Sequence, residues 1–203
     1  AYKISSFENI HLPLIEKVVS TGKPIFISTG MASLSDIEEI TKICKYDLNK
    51  NFVLLKCSST YPASTKDCNV ITIPYMRKLF SCEVGLSDHT LGLGASIAAI
   101  AHGATVIEKH FTLSRDGGGI DAPFSMEPDE MKQLITELNR AWESLGDVNF
   151  GPTKNEKNSL QFRRSLYIAE DIKNGEKLNK KNLRIIRPGL GLHPKFFDII
   201  LGM

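Results

Sequence analysis

The chain has 203 residues, 42% hydrophobic and 24% charged, with 25 Lys and Arg against 23 Asp and Glu and a formal net charge of +2. These proportions describe a globular protein with one sizeable core and argue against a disordered chain. There is no run of like charges, no apolar stretch of membrane-spanning length and no basic segment leading into an apolar signal core, so the sequence gives no reason to expect a nucleic-acid or membrane partner, and a cytoplasmic location is expected.

Tyr2 to Ser6 reads as a first strand. Leu14, Ile15, Val18 and Val19 then recur at helical spacing before Gly22, a residue suited to the left-handed turn that ends a helix. Pro24 to Thr29 is a second strand. The next helix carries Leu34, Ile37, Ile40, Ile43 and Cys44 on one stripe, opened by Ser33 or Ser35 as N-cap with an acid three residues on. After a third strand, Phe52 to Cys57, a helix is expected within Thr65 to Ser81, with Pro74 at its start or breaking it. Glu83 to Asp88 is the fourth strand. Gly92 to His102 is a small-residue helix ending at Gly103, and Ala104 to Phe111 is the fifth strand. Met131, Leu134, Ile135, Leu138, Ala141, Trp142 and Leu145 line a longer helix, opened at Glu127-Pro128 and ended by Gly146.

The five strands are apolar on both faces or nearly so, as buried parallel strands are. Their alternation with helices predicts a parallel α/β fold, either doubly wound or a (β/α)₈ barrel, and five units cannot close an eight-stranded barrel. Polar residues gather at the strands' carboxyl ends, in Ser28-Thr29-Gly30, Ser58-Ser59-Thr60-Tyr61, Ser87-Asp88-His89-Thr90 and Glu108-Lys109-His110. Both architectures place active sites at that face. Residues 1–146 form this α/β part, 147–160 read as a polar linker, and 161–203 as the start of a small β-rich domain. With no initiator Met and an ending at Leu201-Gly202-Met203, the chain reads as cut at both ends. Cys44, Cys57, Cys68 and Cys82 show no CxxC pair, which fits free thiols in a reducing compartment and no structural zinc.

Strand alternation puts Glu108 on the same side as His110 and turns Lys109 toward the helices, away from any Schiff-base role; Asp88 likewise points away from His89. Ser28 precedes Gly30 at a strand-to-helix turn, where free backbone N–H groups favour an anion, although helix capping is an alternative use of such a serine.

The strings Lys3-Ile4-Ser5-Ser6-Phe7-Glu8, Ser28-Thr29-Gly30-Met31, Gly85-Leu86-Ser87-Asp88-His89-Thr90 and Glu108-Lys109-His110-Phe111-Thr112, in this order, resemble the sialic acid synthase family. The resemblance implies barrel strands four to eight of a partial (β/α)₈ TIM barrel, a linker, and the first part of an antifreeze-protein-like (SAF) domain. The strings from Asp116 to Ser125 and from Arg187 to Phe197 look like the pseudaminic acid branch. The implied reaction condenses phosphoenolpyruvate with the aldehyde form of 2,4-diacetamido-2,4,6-trideoxy-β-L-altropyranose, giving pseudaminic acid and phosphate by C–O cleavage. N-acetylneuraminate or legionaminic acid synthesis is the alternative, and a non-catalytic sugar-binding homologue a further one.

In that family the residues matching His89 and His110 hold a divalent metal, for which two imidazoles plus oxygen donors suit Mn²⁺ or Mg²⁺, with Co²⁺ a further candidate. Lys3, Ser6, Ser28 and Ser87 match the phosphoenolpyruvate contacts. Glu8, Tyr61, Asp121 and Arg187 match sugar contacts, Arg187 acting across a domain-swapped homodimer or, in the plainer reading, lying on the surface. Ser59 stands where N-acetylneuraminate synthases carry Asn. Glu108 is a catalytic candidate whose role the sequence leaves open.

Overall fold

The computed structural model describes residues 1–46 and 51–203, in two compact units, Ala1–Gly146 and Asp147–Met203. The first unit holds five parallel strands, β1 (Tyr2–Ile4), β2 (Ile25–Ser28), β3 (Phe52–Cys57), β4 (Glu83–Asp88) and β5 (Ile107–Lys109), paired in the order β1-β2-β3-β4-β5. Helices α1 (Leu12–Val19), α2 (Leu34–Tyr46), α3 (Thr72–Phe80) and α4 (Gly94–Ala101) join successive strands, and α5 (Pro128–Leu145) follows β5. Each crossover advances one strand in the same direction. A doubly wound sheet must reverse that direction at a switch point, so the sequential order selects the barrel type. The sheet also curves. Lys3 Nζ on β1 lies 3.5 Å from Glu108 Oε2 on β5, although three strands separate the two in the sheet.

Strand alternation divides the sheet's two faces. Ile4, Ile25, Ile27, Leu54, Val84 and Leu86 turn outward and form one core with Ile15, Ile40, Ile73 and Ala99 of the helices. Burial of each large aliphatic side chain contributes about 1.5–3 kcal/mol, so this outer layer holds the strands, while the concave face has apolar Phe26, Val53 and Leu55 along its strands and polar residues toward their carboxyl ends.

Local signals explain the helix ends. Ser33, not Ser35, caps α2: its hydroxyl accepts from the Asp36 N–H at 3.2 Å and Asp36 Oδ2 accepts from the Ser33 N–H at 2.7 Å. Glu127 and Glu130 form the same reciprocal box at the start of α5. Pro74 is the third residue of α3, where the missing N–H costs nothing, and Ser81 ends that helix with φ 48°.

Several expected extents are shorter. β1 stops at Ile4 because the Ser5 carbonyl turns to accept from the Glu8 N–H. β5 covers only Ile107–Lys109, since beyond it the His110 carbonyl accepts from the Met126 N–H and the chain leaves the sheet. Leu34, expected on the buried stripe of α2, is 63% exposed, and only Leu134 of the α5 stripe is buried.

In the second unit β6 (Ser165–Ile168) pairs antiparallel with β7 (Leu183–Ile186), followed by the short helix α6 (Phe197–Ile200). Leu166 and Leu183 are its buried apolar residues. Among the described residues no helix is long and apolar enough to cross a membrane.

Candidate active site

The concave face carries Lys3, Ser28, Cys57, Ser87 and Glu108 at or near the strands' carboxyl ends, with His89 and His110 one residue beyond β4 and β5. The two imidazole rings meet edge to face, centroids 5.2 Å apart. Tyr61 lies against both, at 4.3 Å from His89 and 5.7 Å from His110, and Phe124 closes the cluster at 5.0 Å from His110. Asp121 Oδ2 stands 3.5 Å from His110 Nδ1.

His89 is fixed at several points. Its Nδ1 lies 2.9 Å from the carbonyl oxygen of Ser58, its own carbonyl accepts from the Ala63 N–H, and Cys57 Sγ is 3.9 Å from Nδ1. A carbonyl can only accept, so Nδ1 carries the proton and Nε2 keeps its lone pair. Burial pulls the His89 pKa down, but its contacts with Cys57 and the Ser58 carbonyl, with Glu108 nearby, outweigh burial and leave it raised. Burial lowers His110, with the neighbouring His89 adding to the effect. Cys57 responds to the same contacts. Burial would raise its thiol, yet His89, Ser6 and Ser59 bring it down to about 7.

A second group lies at the ends of β1, β2 and β3. The Gly30 N–H donates to Ser6 Oγ at 3.1 Å, and a Cβ on Gly30 would sit 2.7 Å from that oxygen and closer still to Ser59 Oγ. Any larger residue at this position would have to displace the two serine side chains. The Asn9 side-chain amide donates to the carbonyls of Ser28 and Gly30 at 3.1 and 3.3 Å, latching the turn in place. Ser28 Oγ is buried with no hydrogen-bond partner among the described residues, which leaves an unspent polar group beside the turn.

The structure thus gathers Tyr61, His89, His110 and Asp121 into one cluster, Ser6 and Ser59 beside Gly30, and Lys3 against Glu108. Ser87 is buried opposite Glu108 in the β4–β5 ladder. Glu8 lies exposed in the turn after β1, where it accepts from the Ser5 hydroxyl. Arg187 belongs to the second unit. Sequence reasoning assigned no place to Cys57, Asn9 or Phe124. Cys57 could have been found from its position as an inward residue at a strand end, whereas nothing local marks the other two.

Among the described residues no group of three or more His, Cys, Asp or Glu is arranged to hold a metal by itself. Two histidines can still supply part of a shell that water and substrate oxygens complete, and the fixed tautomer of His89 gives Nε2 the lone pair that ligation needs.

Residues 1–150 match the model of the NeuB family and residues 163–203 that of the SAF domain. A pseudaminic acid synthase of Campylobacter jejuni is 40% identical over 100% of this chain, which spans 59% of that protein. An N,N'-diacetyllegionaminic acid synthase of the same organism is 38% identical over 99% of the chain, which spans 61% of it. The crystal structure of an N-acetylneuraminic acid (sialic acid) synthetase from Leptospira borgpetersenii, in complex with citrate, superposes with a TM-score of 0.72 at 35% identity, covering 79% of this chain and 56% of that one. The chain therefore spans about three fifths of the length of these relatives, and its first unit is a five-stranded portion of a (β/α)₈ barrel.

Proposed function

The chain belongs to the NeuB family, and from that premise we propose that the complete protein condenses phosphoenolpyruvate with an amino-sugar aldehyde and water, giving a nonulosonic acid and phosphate. The observation that carries this reading is the meeting of His89 and His110, 5.2 Å apart, on the concave face that also bears Lys3, Ser28 and Glu108. For the sugar we propose 2,4-diacetamido-2,4,6-trideoxy-β-L-altropyranose, which makes the product pseudaminic acid. Support comes from pseudaminic acid synthases of Campylobacter jejuni and Helicobacter pylori, 40% and 39% identical to the chain. The legionaminic relative at 38% makes its sugar the competing substrate.

Phosphoenolpyruvate brings a phosphate and a carboxylate, for which Lys3 supplies the cation and Ser6, Ser28 and Ser87 the hydroxyl donors. The orphaned Ser28 hydroxyl gains a partner when an anion arrives. Tyr61 and Asp121 face the sugar, with Glu8 reaching it from the turn after β1, while Ser59, beside Ser6 and Gly30, offers its hydroxyl to phosphoenolpyruvate. His89 and His110 would hold Mn²⁺, Mg²⁺ or Co²⁺, whose chemistry there is Lewis-acid polarisation of the aldehyde carbonyl. C3 of phosphoenolpyruvate bonds to the aldehyde carbon as the carbonyl π pair moves onto its oxygen, positive charge develops at C2, and water adds there. Glu108, held toward the site by Lys3, orients that water and takes its proton, which passes to the former aldehyde oxygen and makes it a hydroxyl. As the C2 hydroxyl becomes the keto group, the C2–O bond to phosphate breaks, and phosphate leaves with the bridging oxygen and the hydroxyl's proton. In the complete protein, a cytoplasmic domain-swapped homodimer on this reading, Arg187 contributes to the partner subunit's sugar site.

The test is phosphate release by the full-length protein. Release is expected only when the diacetamido-trideoxy sugar and a divalent metal are both present. Equal turnover with N-acetylmannosamine would overturn the choice of sugar.

A further inference from the structure

Each candidate metal-binding histidine has a buried charge as its chain neighbour. Asp88 precedes His89, Lys109 precedes His110, and the two stand directly opposite each other in the β4–β5 ladder. Alternation turns both toward the helix side of the sheet, where their side chains are 0% and 2% exposed. Lys109 Nζ donates to Asp88 Oδ2 at 3.1 Å and to the Thr90 carbonyl at 2.6 Å. Asp88 Oδ1 accepts from the Thr90 N–H and hydroxyl, both at 2.8 Å, and Oδ2 also accepts from Ser96 Oγ of α4 at 2.6 Å.

An ion pair removed from water this completely carries a large desolvation cost, and a well-packed apolar pair would join the strands at least as firmly. Strand cohesion alone does not account for it. The connectivity does: Lys109 grips the residues on both sides of His89, while its own neighbour is His110. Asp88 closes the turn that has His89 at its apex.

We propose that Asp88 and Lys109, completed by Thr90 and Ser96, are positioning residues that set the spacing of His89 and His110 from behind, presenting the two imidazoles ready for a divalent cation. The inference rests on the metal reading of the histidines given above.

The test uses the full-length protein, the neutral double variant Asp88→Asn/Lys109→Met, and Ser96→Ala, which keeps the pair and removes one hydrogen bond. Affinity for Mn²⁺ alone is read from the electron paramagnetic resonance of the free ion, folding from the melting temperature, and ring spacing from metal-free crystals. The double variant is expected to melt cooperatively and to bind Mn²⁺ roughly ten- to a hundredfold more weakly. Ser96→Ala should lose affinity in the same direction by less. A merely structural pair would change the melting temperature and leave the affinity of the folded protein at the wild-type value, which overturns the proposal; if the double variant does not fold, Ser96→Ala decides by the same criterion. A wild-type protein that takes up no Mn²⁺ sinks the metal reading, and ring spacing then decides alone. Centroids still 5.2 Å apart in the folded variant would overturn the positioning role, and displaced rings would support it.

Discussion

Replacing Ser28 with alanine should make the free protein more stable and the enzyme worse. The Ser28 hydroxyl is buried and has no partner among the described residues. An unsatisfied buried polar group costs about 1–3 kcal/mol, so its removal should stabilise the free protein by up to about 1 kcal/mol once the small void is counted. The melting temperature should then rise, by at most roughly 2–4 °C. If, as proposed, the same hydroxyl donates to the phosphoenolpyruvate anion, that bond is worth about 1.5–3 kcal/mol, so KM for phosphoenolpyruvate should increase roughly ten- to 150-fold. Calorimetric melts without ligand and steady-state phosphate release read the two effects separately. A Ser28→Ala protein that is less stable, with unchanged KM, would mean that the hydroxyl has an internal partner and that the anion binds elsewhere.

His89→Ala and His110→Ala should each lower turnover by several orders of magnitude while leaving the melting temperature within a few degrees of wild type; wild-type rates at low metal would contradict the metal assignment. Gly30→Ala places a Cβ 2.7 Å from Ser6 Oγ, so overpacking should cost about 1–3 kcal/mol in urea melts and raise KM for phosphoenolpyruvate, and a silent substitution would show that the serines around it yield freely. Glu130 has its pKa lowered below 4.5, chiefly by the Glu127 N–H and then by Arg115. A carboxylate depressed on folding stabilises above its unfolded pKa and loses that contribution as pH falls through the folded one, so the melting difference between wild type and Glu130→Ala should be full at neutral pH and shrink below about 4.5. A pH-independent difference would place the effect in helix propensity instead.

Strand positions were legible because both faces of each strand are nearly apolar except at the carboxyl end, and the polar tips marked the end of the sheet where the candidate site gathers. Strand patterning alone could not choose between a doubly wound sheet and a barrel, since strand order is a long-range property; the family strings implied the barrel, and the sequential pairing and the Lys3–Glu108 contact agree with it. The stripe on α5 was visible as periodicity, but periodicity does not say what covers it, and Trp142 is 59% exposed. Alternation also indicated that Lys109 and Asp88 face away from the histidines. It gave no sign that they bond each other, or that Asn9 reaches 21 residues along the chain to the Gly30 carbonyl, because such contacts depend on which strands become neighbours. Phe124 follows a proline in a glycine-rich loop and joins the histidine cluster only through the fold of that loop.

On the proposed function this site joins phosphoenolpyruvate to an aldehyde and expels phosphate by breaking the C–O bond. Phosphoenolpyruvate carrying ¹⁸O in the bridging position between C2 and phosphorus, turned over by the full-length protein with the diacetamido-trideoxy sugar and Mn²⁺, tests it most directly. The label should appear in the released phosphate and be absent from C2 of the acid. Label retained in the acid, or phosphate released without the sugar, would contradict the account.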